Sequence, residues 1–483
     1  MSSTKAESDA PRGTSAAEVG AAPSAVPAPG GPAGLPTHLP LWLQVLTLAL
    51  WPLLEQFMNA MVGFVDTALA GRLEPAALEA IGAAGYVVWL MGIMQGAVGI
   101  GSTAVIARAV GGGRFAEADD ALGQSILLAL AWGLFNLVLF YVAAPLVPRA
   151  ISLDGQAADF CVGYLHIVAL AAPHRALLFI GAACLRGAGD MKSPFLIMLA
   201  VNLANIVLSI LLVFPWSPIG GLGVFGVALG TTVSWALGGF AMTVLLIAGR
   251  RRIKLHARRL RPDPPMCRRL VRVGLPALVE NGGHWVGNLL VIVLVGWLAV
   301  RGLADRPMGS HIVAIRIEAF SFLLGFAFQV AAATATGQYL GANDPAAARR
   351  AGWIALAFGA AVMGVFGVAF MTIPDLLARV FTDKEPFLSV APRLIFHAGW
   401  AQIGFAAYLV LAGVLRGAGD TRTTMAMVFA STLLVRVPLV WFIGIHLEGG
   451  LVGVWIALAA ELVVRGALFL ARFLHGGWTR VKV

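Results

Sequence analysis

Twelve apolar runs, each long enough to cross a lipid bilayer, leave this chain few folds to adopt. They fall at about 40–70, 77–109, 116–145, 156–186, 192–214, 222–249, 265–299, 309–340, 345–373, 386–416, 421–445 and 450–475, with breakers such as Gly111–Arg114 and Pro148–Gly155 between them. Several exceed the span length, which implies tilt or projection beyond the hydrocarbon. Only 12% of the 483 residues are charged, against about 25% in a soluble domain. The net charge of +10 does not point to nucleic acid, because the basic residues sit in the loops between runs. Cys161, Cys184 and Cys267 have neither metal-ligand spacing nor a paired framework.

The arginines and lysines orient the chain. With the N-terminus in the cytoplasm, 23 of the 34 fall on the inner side, ten of them between 250 and 272, and seven on the outer side. That bias predicts a multi-pass protein of a bacterial inner membrane with both termini cytoplasmic. Residues 1–38, rich in Ala, Pro, Ser and Gly, read as a disordered cytoplasmic tail, without the apolar core of a secretory signal.

The chain is also an internal duplication. Cys184-Leu-Arg-Gly-Ala-Gly-Asp190 returns as Val414-Leu-Arg-Gly-Ala-Gly-Asp420 at an offset of 230, as Gly111 does at Gly341, and Pro52 matches Pro276 at 224. The expected fold class is therefore all-α integral membrane, with twelve transmembrane helices in two six-helix repeats. An even number of spans per repeat relates the halves by a pseudo-two-fold axis along the membrane normal, with a cavity between them. The lobes fall at 39–249 and 265–476, joined by a basic linker at 250–264 and followed by a short tail at 477–483.

No phosphate-binding loop and no His-Glu-x-x-His pair occurs. Nothing marks an enzyme or a cofactor, so work done by this chain must draw on an ion gradient, worth about 2.3 kcal/mol per charge per 100 mV. Carboxylates within spans cost about 2.5–3.5 kcal/mol at a helix centre, which makes them the informative residues. Asp66 shares a face with Gly63 and Asn59, and Glu55 lies about 16 Å away along the same helix. A desolvated acid there can exchange H+ or help ligate Na+. Asp66 also suits a capping or snorkelling group near Gly71, and Glu55, next to Pro52, suits a partner for freed backbone amides.

Glu280, His284 and Asn288 recur at i, i+4 and i+8 in the seventh run, with Asn281 beside them, as a proton relay, a cation site or a satisfied buried network. Glu55, Asp66, Glu280 and His284 are the candidate coupling residues. Asn59, Asn205, Asn281, Asn288 and Gln402 are candidate cavity groups. Glu461 and Arg465 form an i, i+4 pair; with Glu318 and Arg436 they read as structural or gating.

The segment Gly63-Phe-Val-Asp66-Thr-Ala-Leu-Ala-Gly71 resembles the first helix of the multidrug and toxic compound extrusion (MATE) transporters. Gly274-Leu-Pro-Ala-Leu-Val-Glu280, His311-Ile-Val-Ala-Ile-Arg-Ile-Glu318, Gly337-Gln-Tyr-Leu-Gly341 and both Leu-Arg-Gly-Ala-Gly-Asp loops extend the likeness over residues 40 to 475. The resemblance implies a two-lobed monomeric antiporter that expels small organic compounds, cationic or amphipathic, against H+ or Na+. The family's first-helix aspartate falls on Asp66. The seventh-helix glutamate of the NorM-like branch falls on His284 and its tenth-helix aspartate on Phe405; the fifth-helix aspartate of the DinF-like branch falls on Ser209. Neither branch's full cation site is present. The alternative is a flippase for a lipid-linked sugar or cell-wall precursor, which would show a more cationic cavity.

Overall fold

The computed structural model describes residues 31–70, 73–150, 153–215, 217, 219–249, 253–304, 307–382 and 385–483. Side chains at 59–68, 70, 75, 78 and 386 lie outside the description. Among the described residues, eleven helices are long and apolar enough to cross a membrane, and a twelfth span is a helix pair bent by 53°. The first six spans are α1 (Leu41–Ala70), α2 (Pro75–Gly111), α3 (Phe115–Ala143), the bent pair α4 (Gly155–Leu170 with Ala172–Gly187), α5 (Lys192–Val213) and α6 (Gly223–Ala248). The second six are α7 (Pro264–Val300), α8 (Pro307–Gly341), α9 (Pro345–Thr372), α10 (Ala391–Gly417), α11 (Thr421–His446) and α12 (Gly450–His475).

Local chemistry sets the helix ends. Asp263 and Asp344 accept from the main-chain N–H of Met266 and Ala347 at 3.4 and 2.8 Å, with Pro264 and Pro345 in the first helical position. The duplicated loop works the same way twice. Gly189 (φ +89) and Gly419 (φ +83) take the left-handed turn that ends α4 and α10, a conformation open to glycine. Asp190 and Asp420 then bond forward to the Ser193 and Thr423 hydroxyls at 2.7 and 2.6 Å.

Two spans depart from a plain helix. α4 breaks at Ala171, just before Pro173, which has no N–H to give. α11 widens into π turns at Ser431–Arg436 and Val440–His446, on either side of Pro438. A proline ring crowds the carbonyl four residues back, and a wider turn relieves that clash.

The two sets of six meet at the end of the molecule that carries Gly34, Val483 and the linker. There Gly111 of α2 lies against the main chain of Gln338, and Gly341 of α8 against the main chain of Arg108, the same contact made twice across the duplication. Arg108 Nη2 donates to the Ala418 carbonyl at 2.8 Å, and Gln338 Nε2 to the Gly187 carbonyl at 2.9 Å. Glycine is needed because helices in lipid associate by close packing, without a hydrophobic drive. Toward the other end, a Cβ added at Gly82 or Gly85 of α2, or at Gly282 or Gly296 of α7, would meet no other element within 4 Å among the described residues.

The end of the presumed tail differs from a loose segment: Leu35 is buried with Val45 and Tyr339. The basic linker is also anchored. Gln124 of α3 donates to the carbonyls of Arg259 and Arg261 and accepts from the N–H of Asp263, while Arg259 pairs with Asp120. Arg269, in the first turns of α7, pairs with Glu117 of α3. α1 likewise reaches the other lobe, its Gln44 accepting from the Tyr339 hydroxyl of α8 at 2.7 Å.

Candidate functional site

The second lobe encloses a charged network in the middle of its helices. Glu280 is 1% exposed. It accepts from Arg416 Nη2 at 2.7 Å and from the Thr424 hydroxyl at 2.8 Å. Glu461 is fully buried between two arginines, Arg436 at 2.8 Å and Arg465 at 2.6 Å; the latter is the ion pair its i, i+4 spacing predicts. Arg436 also donates to Asn288 Oδ1 at 2.7 Å, and Arg465 to Thr432 at 2.8 Å. Arg465 lies over the Tyr408 ring and donates to His284 Nδ1 at 3.4 Å. The π turn beginning at Ser431 brings Thr432 and Arg436 into this group.

Glu318, on α8, is half-buried and has no hydrogen bond or ion pair among the described residues. The bonded network holds two carboxylates, Glu280 and Glu461, and three guanidiniums, Arg416, Arg436 and Arg465. Removing one partner of such a buried pair strands the other, at about 3–5 kcal/mol.

The first lobe repeats part of this plan. Glu55, 9% exposed, pairs with Arg186 Nη1 at 3.3 Å. Arg186 and Arg416 occupy the same place in the duplicated loop, so each loop sends its arginine back to a glutamate on the first helix of its own lobe. Glu55 therefore meets an arginine, not the backbone amides freed by Pro52. Asn205 Nδ2 donates to Thr231 at 3.0 Å, while its carbonyl oxygen and the neighbouring Ser209 hydroxyl are buried without a bond. Gln402 is wholly buried, held by Ser321 and the Ala398 carbonyl, and Asn281 is half-buried on α7. The side chains of Asn59 and Asp66 lie outside the described residues.

Sequence reasoning missed the acid–arginine ties because Arg186 and Arg416 read as loop charges facing the cytoplasm. Their signal was the duplication itself, which preserves an arginine beside glycine in both halves. Among the described residues, no group of three or more His, Cys, Asp or Glu could hold a metal ion.

Comparison with known proteins agrees with this architecture. The MatE family model matches twice, at residues 53–211 and 276–442, once in each half. A probable multidrug resistance protein NorM of Thermotoga maritima is 27% identical over 91% of this chain and 94% of its own length. The namesake from Mesorhizobium japonicum is 29% identical over 90% and 95%. An uncharacterized transporter, YisQ, of Bacillus subtilis is 24% identical over 89% and 93%. Among solved structures, an outward-facing multidrug resistance MATE transporter of the MOP superfamily superposes with a TM-score of 0.84 at 18% identity, over 91% of this chain and 96% of that one. A MOP superfamily transporter from Pyrococcus furiosus, noted for the reverse polarity of its binding pocket, gives the same score. With twelve spans in two matching sets and the family model found once in each, this chain belongs to the MatE family of membrane transporters.

Proposed function

We propose that the protein is a multidrug efflux antiporter of a bacterial inner membrane, acting as a monomer. It would expel organic compounds, cationic or amphipathic, in exchange for inward H+ or Na+. The observation that carries this reading is the pair of lobes joined at one end by a twice-made glycine contact, while toward the other end glycines of α2 and α7 stand clear of any other described element. The charge bias of 23 to seven supports a cytoplasmic sealed end, and with it an outward-open member of an alternating pair. The multidrug names of the relatives support the substrate class.

In this mechanism a compound leaves from the outward-open cavity and a cation then binds the acid of the first lobe, Asp66. Neutralising that acid lets the lobes rock inward; release of the cation to the cytoplasm resets them. Moving a two-state equilibrium from 1:99 to 99:1 takes about 5.5 kcal/mol of differential binding. Each charge falling through about 100 mV supplies about 2.3 kcal/mol of that.

The test is efflux of a fluorescent organic cation in everted vesicles, driven separately by a pH step and a sodium step. Asp66→Asn should abolish transport in protein that still inserts, and Glu280→Gln should reduce it. Transport that ignores both gradients would favour a channel, and full transport by Asp66→Asn would remove that acid from the mechanism. Movement of a lipid-linked sugar, with no export of the cation, would favour the flippase.

A further inference from the structure

In the second lobe Arg416, Arg436 and Arg465 each meet a carboxylate; in the first lobe one buried arginine meets none among the described residues. Arg175, on α4, is 7% exposed. Its one hydrogen bond runs from Nη1 to the Val88 carbonyl at 3.3 Å, and its Nε has no partner. Among the described residues no carboxylate lies within ion-pair distance of it. The guanidinium is stacked on the Trp235 ring at 4.4 Å and approaches Phe179 at 5.2 Å. Those rings return only part of what desolvating a cation costs.

Three further features surround this charge. Arg175 stands one turn past the break in α4, at the start of a 16-residue helix whose N-terminal end carries partial positive charge. Broken transmembrane helices direct such ends toward anionic groups. Next, α2 presents glycine where the guanidinium passes: a Cβ at Gly92 would lie 2.9 Å from Nη2. On the same face, a Cβ at Gly85 or Gly96 would meet no other element among the described residues, which leaves room beside the charge. Finally, Gln95 Nε2 is engaged by the Ala172 carbonyl at the break, while its Oε1 is buried without a donor. Across the duplication, the position 230 residues on is Phe405, so the second lobe has no counterpart cation here.

We propose that Arg175 is the centre of an anion-recognition site in the first lobe, which takes a carboxylate or phosphate group attached to an aromatic or lipid-like body. The guanidinium supplies the paired N–H donors that planar oxyanions fit. Trp235 covers its other face and fixes its plane. The inference rests on the efflux reading and extends it: exported compounds include amphipathic acids and zwitterions, not cations alone.

The experiment uses the full chain in phosphatidylcholine nanodiscs with no gradient, titrated with naphthoate and with its neutral amide, and read by tryptophan quenching. Naphthoate should bind about tenfold tighter than the amide, the worth of one charge-assisted pair. Arg175→Gln should erase that preference and leave amide binding unchanged, and Arg175→Lys should keep part of it. Trp235→Phe, which retains the charge, should keep the preference and so covers failure of the glutamine variant to fold. If phosphatidylglycerol in the disc displaces naphthoate, a lipid headgroup is the natural occupant; if not, a soluble acid is. Equal affinity for acid and amide, or a preference that survives Arg175→Gln, overturns the proposal. So does a preference seen only in Asp66→Asn, because an internal acid would then already fill the site. Naphthoate binding with no vesicle efflux of any compound would sink the efflux reading and leave the site standing.

Discussion

Gly111→Ala and Gly341→Ala, made together, should push the lobes out of the sealed arrangement without unfolding either one. Each added methyl would overlap main-chain atoms of the facing helix, at Gln338 and Arg108, and backbone cannot swing aside as a flexible side chain can. Overpacking of this kind costs about 1–3 kcal/mol per site. The two sites share one seam, so their costs are not additive; a joint effect of about 2 kcal/mol changes the ratio of states roughly 30-fold. Spin labels at Tyr86→Cys and Arg316→Cys report the change, since both positions are exposed and they are related by the same offset of 230. Cys161, Cys184 and Cys267 are free thiols and must be replaced first. Pulsed electron resonance should show the label distance shortening as the outer ends close. An unchanged distance distribution in a folded double variant would refute the idea that the glycine seam holds the sealed state.

Glu461→Gln removes the one carboxylate shared by Arg436 and Arg465, and should lower stability by about 3–5 kcal/mol, seen as a lower melting temperature in detergent. By contrast, Arg259→Ala breaks a partly exposed linker pair at the molecule's edge and should change stability by only about 1 kcal/mol in the same assay. A large loss there would mean that the linker pair carries structural weight out of proportion to its exposure.

Hydrophobicity made the span count legible, because a bilayer crossing leaves a run that no loop imitates. The duplicated loop made the two-lobe plan legible in the same way. What stayed hidden depended on side chains folding back across sequence distances. Arg186 and Arg416 sit at helix ends, where a basic residue reads as a cytoplasmic marker, yet both turn inward to Glu55 and Glu280. The π turns of α11 were equally invisible: Pro438 announces a disturbance but not the direction in which the chain gives way. Of the polar face on α7, the spacing revealed that Glu280, His284 and Asn288 share a side. It could not reveal that three different arginines meet them there.

The grip on α7 has a mechanical consequence. Its opening turns are fastened to α3 by Glu117 and Gln124, whereas from Glu280 onward it is fastened to α10 and α11. α1 is held the same way, through Gln44 to α8 and through Glu55 to α4. A rod clamped to two bodies must flex between the clamps when those bodies turn. In both rods a proline, Pro276 or Pro52, occupies that stretch and deletes a rung of the helix ladder. Each such proline is thus a ready-made knee, and the stiffness of these two knees should govern how fast the molecule cycles.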